Sequence, residues 1–383
     1  MENSPILVLG AGMVGSAMAI DLAAAHPVLL TDVSPLSLDK AKVRCPSLNT
    51  RVLDVRDTAA LHALAEKSRL VLCAVPGFLG FETVRQLILA GKDVVDISFF
   101  PENCLDLDDL AKKKGVTAIV DCGVAPGMGN LILGRYNETW KLQRFECLVG
   151  GLPKVRKWPF SYKAPFSPAD VIEEYTRPAR YVENGRMVVR EPLTDCELID
   201  FDQAGTLEAF NSDGLRSLIF TMPHIPDMKE KTLRYPGHVE YIRVLRESGF
   251  FGTEPIPVGP SQITPLDFTS RILFSEWKLG EEEEEFTVMR ITLEGLNEKG
   301  QSARAVWNLY DEYDPATKTS SMARTTGYTA TAAVNMMLNG LFREKGVFPP
   351  ERVGSHPACF QSILEYLKER KVVYSVNENL IKY

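Results

Sequence analysis

Three glycines and one aspartate carry the most specific chemistry in the chain. Gly10, Gly12 and Gly15 are spaced as GxGxxG directly after the apolar run Ile6–Leu9, and a helical pattern, 13–25, follows them. In a strand–turn–helix setting the first glycine allows the tight turn, the second lets backbone approach a pyrophosphate, and the third lets helix and strand pack closely. The helix N-terminus, with Met13 and Val14 in its first turn, offers unpaired N–H groups to the phosphates. Asp32 ends the next apolar run, about 20 residues beyond the turn, where a carboxylate accepts hydrogen bonds from ribose hydroxyls and repels a 2′-phosphate. No arginine follows it and the next basic residue is Lys40, so the spacing points to NAD rather than NADP. The alternative, a glycine-punctuated βα turn with a surface aspartate, does not explain strand, turn, helix and acid together.

The elements that must hold this turn form a regular βα rhythm. Apolar runs predict strands near 6–10, 27–32, 50–54, 69–75, 93–98 and 116–121, with helices near 13–25, 35–44, 58–66, 80–90 and 103–114. Six strands separated by helices imply an α/β fold, a doubly wound Rossmann sheet whose ligand lies at the carboxyl ends of the strands. The residues just beyond those ends are Asp32, Asp54 and Val55 where the adenine edge is expected, Ala74, Val75 and Pro76 near the nicotinamide ribose, Ser98, and Asp121. Asp57 reads equally well as a helix cap and Pro76-Gly77 as a turn.

After Asp121 the rhythm breaks into a glycine- and proline-rich loop, with a helix beginning near 131–136. Strand-like stretches such as 145–150, 187–189 and 286–296 then predict a second, mostly antiparallel α+β domain. The run Gly280-Glu-Glu-Glu-Glu-Glu285 reads as a solvated turn. Apolar helical patterns at 330–341 and 358–370 need a core to cover, so the chain is expected to return to the first sheet. The predicted domains are 1–125 for the dinucleotide, 126–325 for substrate and dimerisation, and 326–383 as helices packing back.

A chain of 383 residues holds two such domains, and a net charge of −7 argues against nucleic acid or an anionic membrane as partner. No apolar run is long enough to cross a bilayer, and a first strand starting at Ile6 leaves no room for a leader, so the cytoplasm is the expected location. Seven scattered cysteines without a CxxC fit reduced thiols, and five histidines without ligand spacing predict no metal.

Four local sequences, Val120-Asp-Cys-Gly-Val-Ala-Pro-Gly127, Gly150-Gly-Leu-Pro153, Lys231-Thr-Leu-Arg-Tyr-Pro-Gly-His238 and Met322-Ala-Arg-Thr-Thr-Gly-Tyr328, together resemble the saccharopine dehydrogenase-like family. Within it the chain looks most like the lysine 6-dehydrogenases, which oxidise the ε-amino carbon of L-lysine with NAD. The resemblance implies a Rossmann domain, an inserted domain that binds substrate and forms a homodimer, and terminal helices that return to the first domain. Carried over by motif, Ser98 and Asp121 stand at the mouth of the sheet, Gly150 and Gly151 bring backbone to the substrate, and Arg234 reaches it from the second domain.

Oxidising an amine requires a neutral nitrogen, a carbon held against the nicotinamide, and water to hydrolyse the imine. Arg234 suits the α-carboxylate of an amino acid as a bidentate cation, or else makes an ordinary ion pair. Asp121 suits an ammonium group, or else caps its loop. His238 is a candidate base by its ordinary pKa, or a structural hydrogen-bonding residue; Lys163 is a second candidate base, or a solvated lysine. A third possibility is that no dedicated base is needed. The competing functions are a saccharopine or carboxynorspermidine dehydrogenase acting on a secondary amine, for which Arg177, Arg180, Lys163 and Arg324 are the available basic groups, and a non-catalytic dinucleotide-binding redox sensor.

Overall fold

The computed structural model describes residues 4–165, 168–280 and 282–381. The six expected strands form, as β1 (Ile6–Leu9), β2 (Val28–Asp32), β3 (Asn49–Val52), β4 (Val71–Cys73), β5 (Val94–Asp96) and β6 (Thr117–Ile119). They lie parallel in a seven-stranded sheet whose edge-to-edge order is Gly346–Phe348, β6, β5, β4, β1, β2, β3. Helices cover both faces, which is why β1 is apolar at every position and wholly buried. The order reverses between β1 and β4, so a crevice opens outside their carboxyl ends. Local chemistry sets the helix starts: Ser34 accepts from the Ser37 amide at the head of Pro35–Arg44, and Asp57 accepts from the Ala60 amide at the head of Thr58–Glu66. Asp57 is therefore the cap that its position suggested.

The second domain is built on a nine-stranded sheet. Its central path runs Glu197–Phe201, Gly205–Asn211, Asp227–Arg234, Lys141–Pro153, Glu285–Leu296, Ser302–Glu312 and Tyr374–Leu380, all antiparallel except the parallel pair Asp227–Arg234 with Lys141–Pro153. Helices Pro168–Thr176, His238–Glu247 and Pro265–Trp277 cover one side around Tyr162, Tyr175, Phe210 and Trp277. The other side shares a continuous core with the first domain, where Phe145, Cys147, Met289 and Ile291 join Ile6, Val8 and Met18.

Helix Ser321–Leu338 lies in that shared core and is buried along most of its length. It starts well before the expected residue 330 because Ser320 caps it through the Ala323 amide. Gly327 lets it approach the first helix, Met13–Ala23, since a Cβ there would lie 3.0 Å from Met18 Cγ. Two further differences correct the reading of 326–383 as helices alone. Gly346–Phe348 enters the first sheet beside β6, and Tyr374–Leu380 pairs with Ser302–Glu312 in the second. The former is only three residues long; the latter is a mostly exposed, polar edge strand without the apolar alternation that marks a strand. In the acidic run, Glu283 pairs with Lys157 and Glu284 with Lys154 at the surface, while Glu281 falls outside the described residues. Among the described residues no helix is long and apolar enough to cross a membrane, and no His, Cys, Asp or Glu group is arranged to hold a metal ion.

Candidate active site

A cavity of about 770 Å³ joins the carboxyl ends of the parallel sheet to the second sheet. Its first end is the glycine turn. Gly10 has φ +100° and a Cβ on it would lie 2.4 Å from the Ala74 carbonyl oxygen; a Cβ on Gly15 would lie 2.0 Å from the Gly10 carbonyl oxygen. These two glycines are required by close packing. Gly12 differs: nothing lies within 4 Å of its Cβ position, so its backbone faces open cavity, as contact with a pyrophosphate requires. Helix Met13–Ala23 begins at Gly12 without a side-chain cap, which leaves its first N–H groups to a ligand. Asp32 accepts from the Ala11 amide through Oδ2 (2.6 Å) and from the Ser34 amide through Oδ1 (2.7 Å), so its carboxylate is held at the cavity edge. Met13, Val14, Asp54, Val55, Ala74, Val75 and Pro76 also line this end. The Arg56 guanidinium, 2.6 Å from Asp54, holds that carboxyl down at about 2. Arg56 lines the cavity as well; the sequence reading had not singled it out. These features fit a pyridine dinucleotide.

The other end is assembled from distant segments. Ser98 reaches it from the end of β5, its hydroxyl and amide both bonded to buried Asp96, which burial pushes up to about 7. Gly150 and Gly151 line it from Lys141–Pro153, where a Cβ on Gly150 would lie 2.7 Å from the Leu233 carbonyl oxygen. Glu230, Thr232 and Arg234 alternate along Asp227–Arg234 and all reach the cavity, while Ser212, Asp213 and Gly214 form a loop beside them. Helix Pro168–Thr176 contributes Asp170, Glu173 and Glu174, and Arg177 follows it. Their spacing of i, i+3, i+4, i+7 is one helix face.

Most of these charges are already paired. Arg234 is 2% exposed; its Nη2 meets Glu174 at 2.6 Å and the Tyr162 hydroxyl at 3.3 Å, its Nε donates to the Tyr175 hydroxyl, and its guanidinium lies 4.3 Å from the Tyr162 ring centre. Arg180 holds Asp213 at 2.8 Å. Arg177 pairs with Glu173 and stacks on Phe99, yet its buried Nη1 has no hydrogen-bond partner among the described residues.

Three expected residues lie off the cavity wall. Asp121, with φ +53°, is 2% exposed and bonds Arg216 through both carboxylate oxygens (2.9 and 3.0 Å). Arg216 also donates to the Phe100 carbonyl and lies 4.7 Å from the Phe99 ring centre. Asp121 therefore fastens the second domain to the first and is not free to hold a substrate ammonium. His238 is 2% exposed, with Nε2 2.9 Å from the Tyr175 hydroxyl and Nδ1 2.9 Å from the Phe160 carbonyl. Burial, then the Arg234 charge, lowers it to about 3; its structural alternative is the one the geometry supports. Lys163 donates to the Glu276 carbonyl on Pro265–Trp277, away from the cavity. Of the other basic groups, Arg177 lines the wall, whereas Arg180 and Arg324 are held by Asp213 and Asp311.

Comparison with known proteins gives two family matches. The model described as the saccharopine dehydrogenase NADP binding domain matches residues 6–119, and that described as the saccharopine dehydrogenase C-terminal domain matches 123–373. The carboxyaminopropylagmatine dehydrogenase of Synechocystis sp. is 23% identical, over 92% of this chain and 93% of that protein. The NADP-dependent, L-glutamate-forming saccharopine dehydrogenase of Saccharomyces cerevisiae is 23% identical, over 96% and 98%. A solved structure of the L-glutamate-forming saccharopine dehydrogenase from the same yeast has the same fold, with a TM-score of 0.78, 21% identity, and coverage of 99% of this chain and 100% of that one.

Proposed function

The chain belongs to the saccharopine dehydrogenase family, and on that premise we propose that it is an NAD-dependent L-lysine 6-dehydrogenase. The reaction converts the ε-amino group to the 6-semialdehyde, which cyclises, and releases ammonia. The observation that carries this reading is the charge balance of one cavity. Its amine end is lined by Asp170, Glu173, Glu174, Asp213 and Glu230 against Arg177 and Arg234, with Arg180 held on Asp213; carboxyl groups still outnumber guanidinium groups, which suits a substrate with two ammonium groups and one carboxylate.

The dinucleotide, when bound, supplies a hydride acceptor. The remaining work falls to the protein. Gly12 and the helix behind it hold the phosphates, and Asp32 holds the ribose; NAD is favoured because a 2′-phosphate at Asp32 would meet an already fixed carboxylate. Arg177, with an N–H group to spare, takes the α-carboxylate, and Arg234 keeps the adjoining helix and strand in register through Glu174 and Tyr175. Ser98, Gly150 and Gly151 bring narrow, backbone-rich surface to the reacting carbon.

A second reading, oxidation of a secondary amine with further carboxylates, is favoured by the two arginines, Arg177 and Arg234, that line the same cavity. NADH formation with L-lysine, saccharopine and carboxynorspermidine offered separately distinguishes the two. Turnover with L-lysine is the expected result. Turnover with saccharopine alone overturns the lysine assignment, and dinucleotide binding without any turnover leaves a redox sensor.

A further inference from the structure

Glu230 is a carboxyl group of the cavity wall that forms no ion pair with any of the described residues. It is 5% exposed yet lines the cavity. Its neighbours are compensated: Glu173 by Arg177, Glu174 by Arg234 and Asp213 by Arg180. Among the described residues, no cation or hydrogen-bond donor pairs with the Glu230 carboxyl. Space is reserved for it all the same, since a Cβ on Gly214 would lie 1.9 Å from Glu230 Oε1. Asp213 faces it from the loop, Glu174 from the helix, the Arg216–Asp121 pair from the domain junction, and Cys147 from the neighbouring strand, while the Tyr181 hydroxyl donates to its backbone carbonyl.

We propose that Glu230 is the general base that receives the proton of the substrate ammonium, a role that rests on the amine oxidation proposed above. The N–H bond of the ammonium breaks and its proton passes to a Glu230 oxygen. The freed electron pair forms the C=N bond as the neighbouring C–H bond gives its hydrogen and two electrons to the oxidant, a pyridine dinucleotide. Water then adds to the carbon and ammonia departs. Burial, then the charges of Asp213 and Glu174, push Glu230 up to about 8. The group therefore changes state close to neutral pH, where a base exchanges protons most effectively.

The test compares the full-length protein with Glu230→Gln and Glu230→Asp. Infrared difference spectra need no substrate: Asp96 and Glu285 add carboxyl bands of their own to both proteins, so the wild-type spectrum minus that of Glu230→Gln should contain a protonated carboxyl band that disappears near pH 8. With NAD and L-lysine, Glu230→Gln should lose about a hundredfold or more in kcat/KM, and the rise of rate through pH 8 should vanish. Glu230→Asp should recover part of the rate together with that rise, and NAD affinity should be unchanged in both variants. An active wild type whose Glu230→Gln form keeps its rate and pH profile, or a carboxyl band indifferent to the substitution, overturns the base and leaves the amine reading intact. A wild type that oxidises none of the three amines overturns that reading and the base with it.

Discussion

The two ends of the cavity are made in different ways. The dinucleotide end comes largely from backbone within one short turn: Gly10 and Gly15 are needed for packing, Gly12 leaves backbone open to the cavity, and the Asp32 carboxylate is fixed at its edge. The amine end comes from side chains on a helix, a loop and two strands, drawn together only when the second sheet docks. Its charges are set by neighbours, since Glu174, Glu173 and Asp213 each spend their charge on an arginine and Glu230 does not. The first end therefore depends on local conformation and the second on assembly. Substitutions that loosen the docking should separate them.

The largest expected effect is at the junction. Asp121→Asn leaves the Arg216 guanidinium, 5% exposed, without its carboxylate. Breaking such a buried pair costs roughly 3–5 kcal/mol, to be read from urea denaturation. Amine turnover should be lost while the glycine turn keeps dinucleotide affinity in the protein that remains folded. A loss below about 1 kcal/mol, the range of solvent-screened pairs, would show that the junction does not rely on this contact. Next comes Asp32→Ala, which frees the Ala11 and Ser34 amides and removes the ribose acceptor. Weakening of NAD binding by about 1.5–3 kcal/mol, or roughly ten- to a hundredfold, is expected from a charge-assisted hydrogen bond, with the preference for NAD over NADP reduced. Calorimetric titration with each dinucleotide measures both. An unchanged ratio would remove Asp32 from the ribose.

The same contrast explains what the sequence disclosed. The six Rossmann strands were legible because burial on both faces demands apolar runs, and the glycines because their spacing is itself the geometry. Ser98, Gly150, Gly151 and Arg234, singled out from strand ends and local motifs, all line this cavity, although Arg234 is held there by Glu174. Glu230 did not stand out, since Lys229-Glu230-Lys231 reads as an ordinary solvated alternation. The face of Asp170, Glu173, Glu174 and Arg177 has a readable helical period, but the polar face of an amphipathic helix normally meets water. Only the docking of that helix over the cavity gives those charges a role. Asp121 illustrates the converse: it looks functional alone, and with Arg216 it closes a junction.

His238 gives the smallest effect on rate and sharpens the distinction between a residue near the chemistry and one that takes part in it. Phe160 offers a carbonyl, so Nδ1 carries the hydrogen and Nε2 accepts from Tyr175, whose oxygen in turn accepts from Arg234 Nε. The imidazole is the end of a chain that orients Arg234. Its pKa is lowered to about 3 in the folded protein, against about 6.5 when unfolded. The unfolded chain therefore binds the proton first. The stabilisation from the neutral ring is complete above the unfolded value and is lost as pH falls toward 3. His238→Gln should leave the pH dependence of kcat near neutrality unaltered and flatten the decline of stability on the acid side, as followed by thermal unfolding across that window. A variant that instead loses a rate-controlling ionisation near neutral pH would return the histidine to the reaction and would mean that the hydrogen bonds to Phe160 and Tyr175 open during turnover.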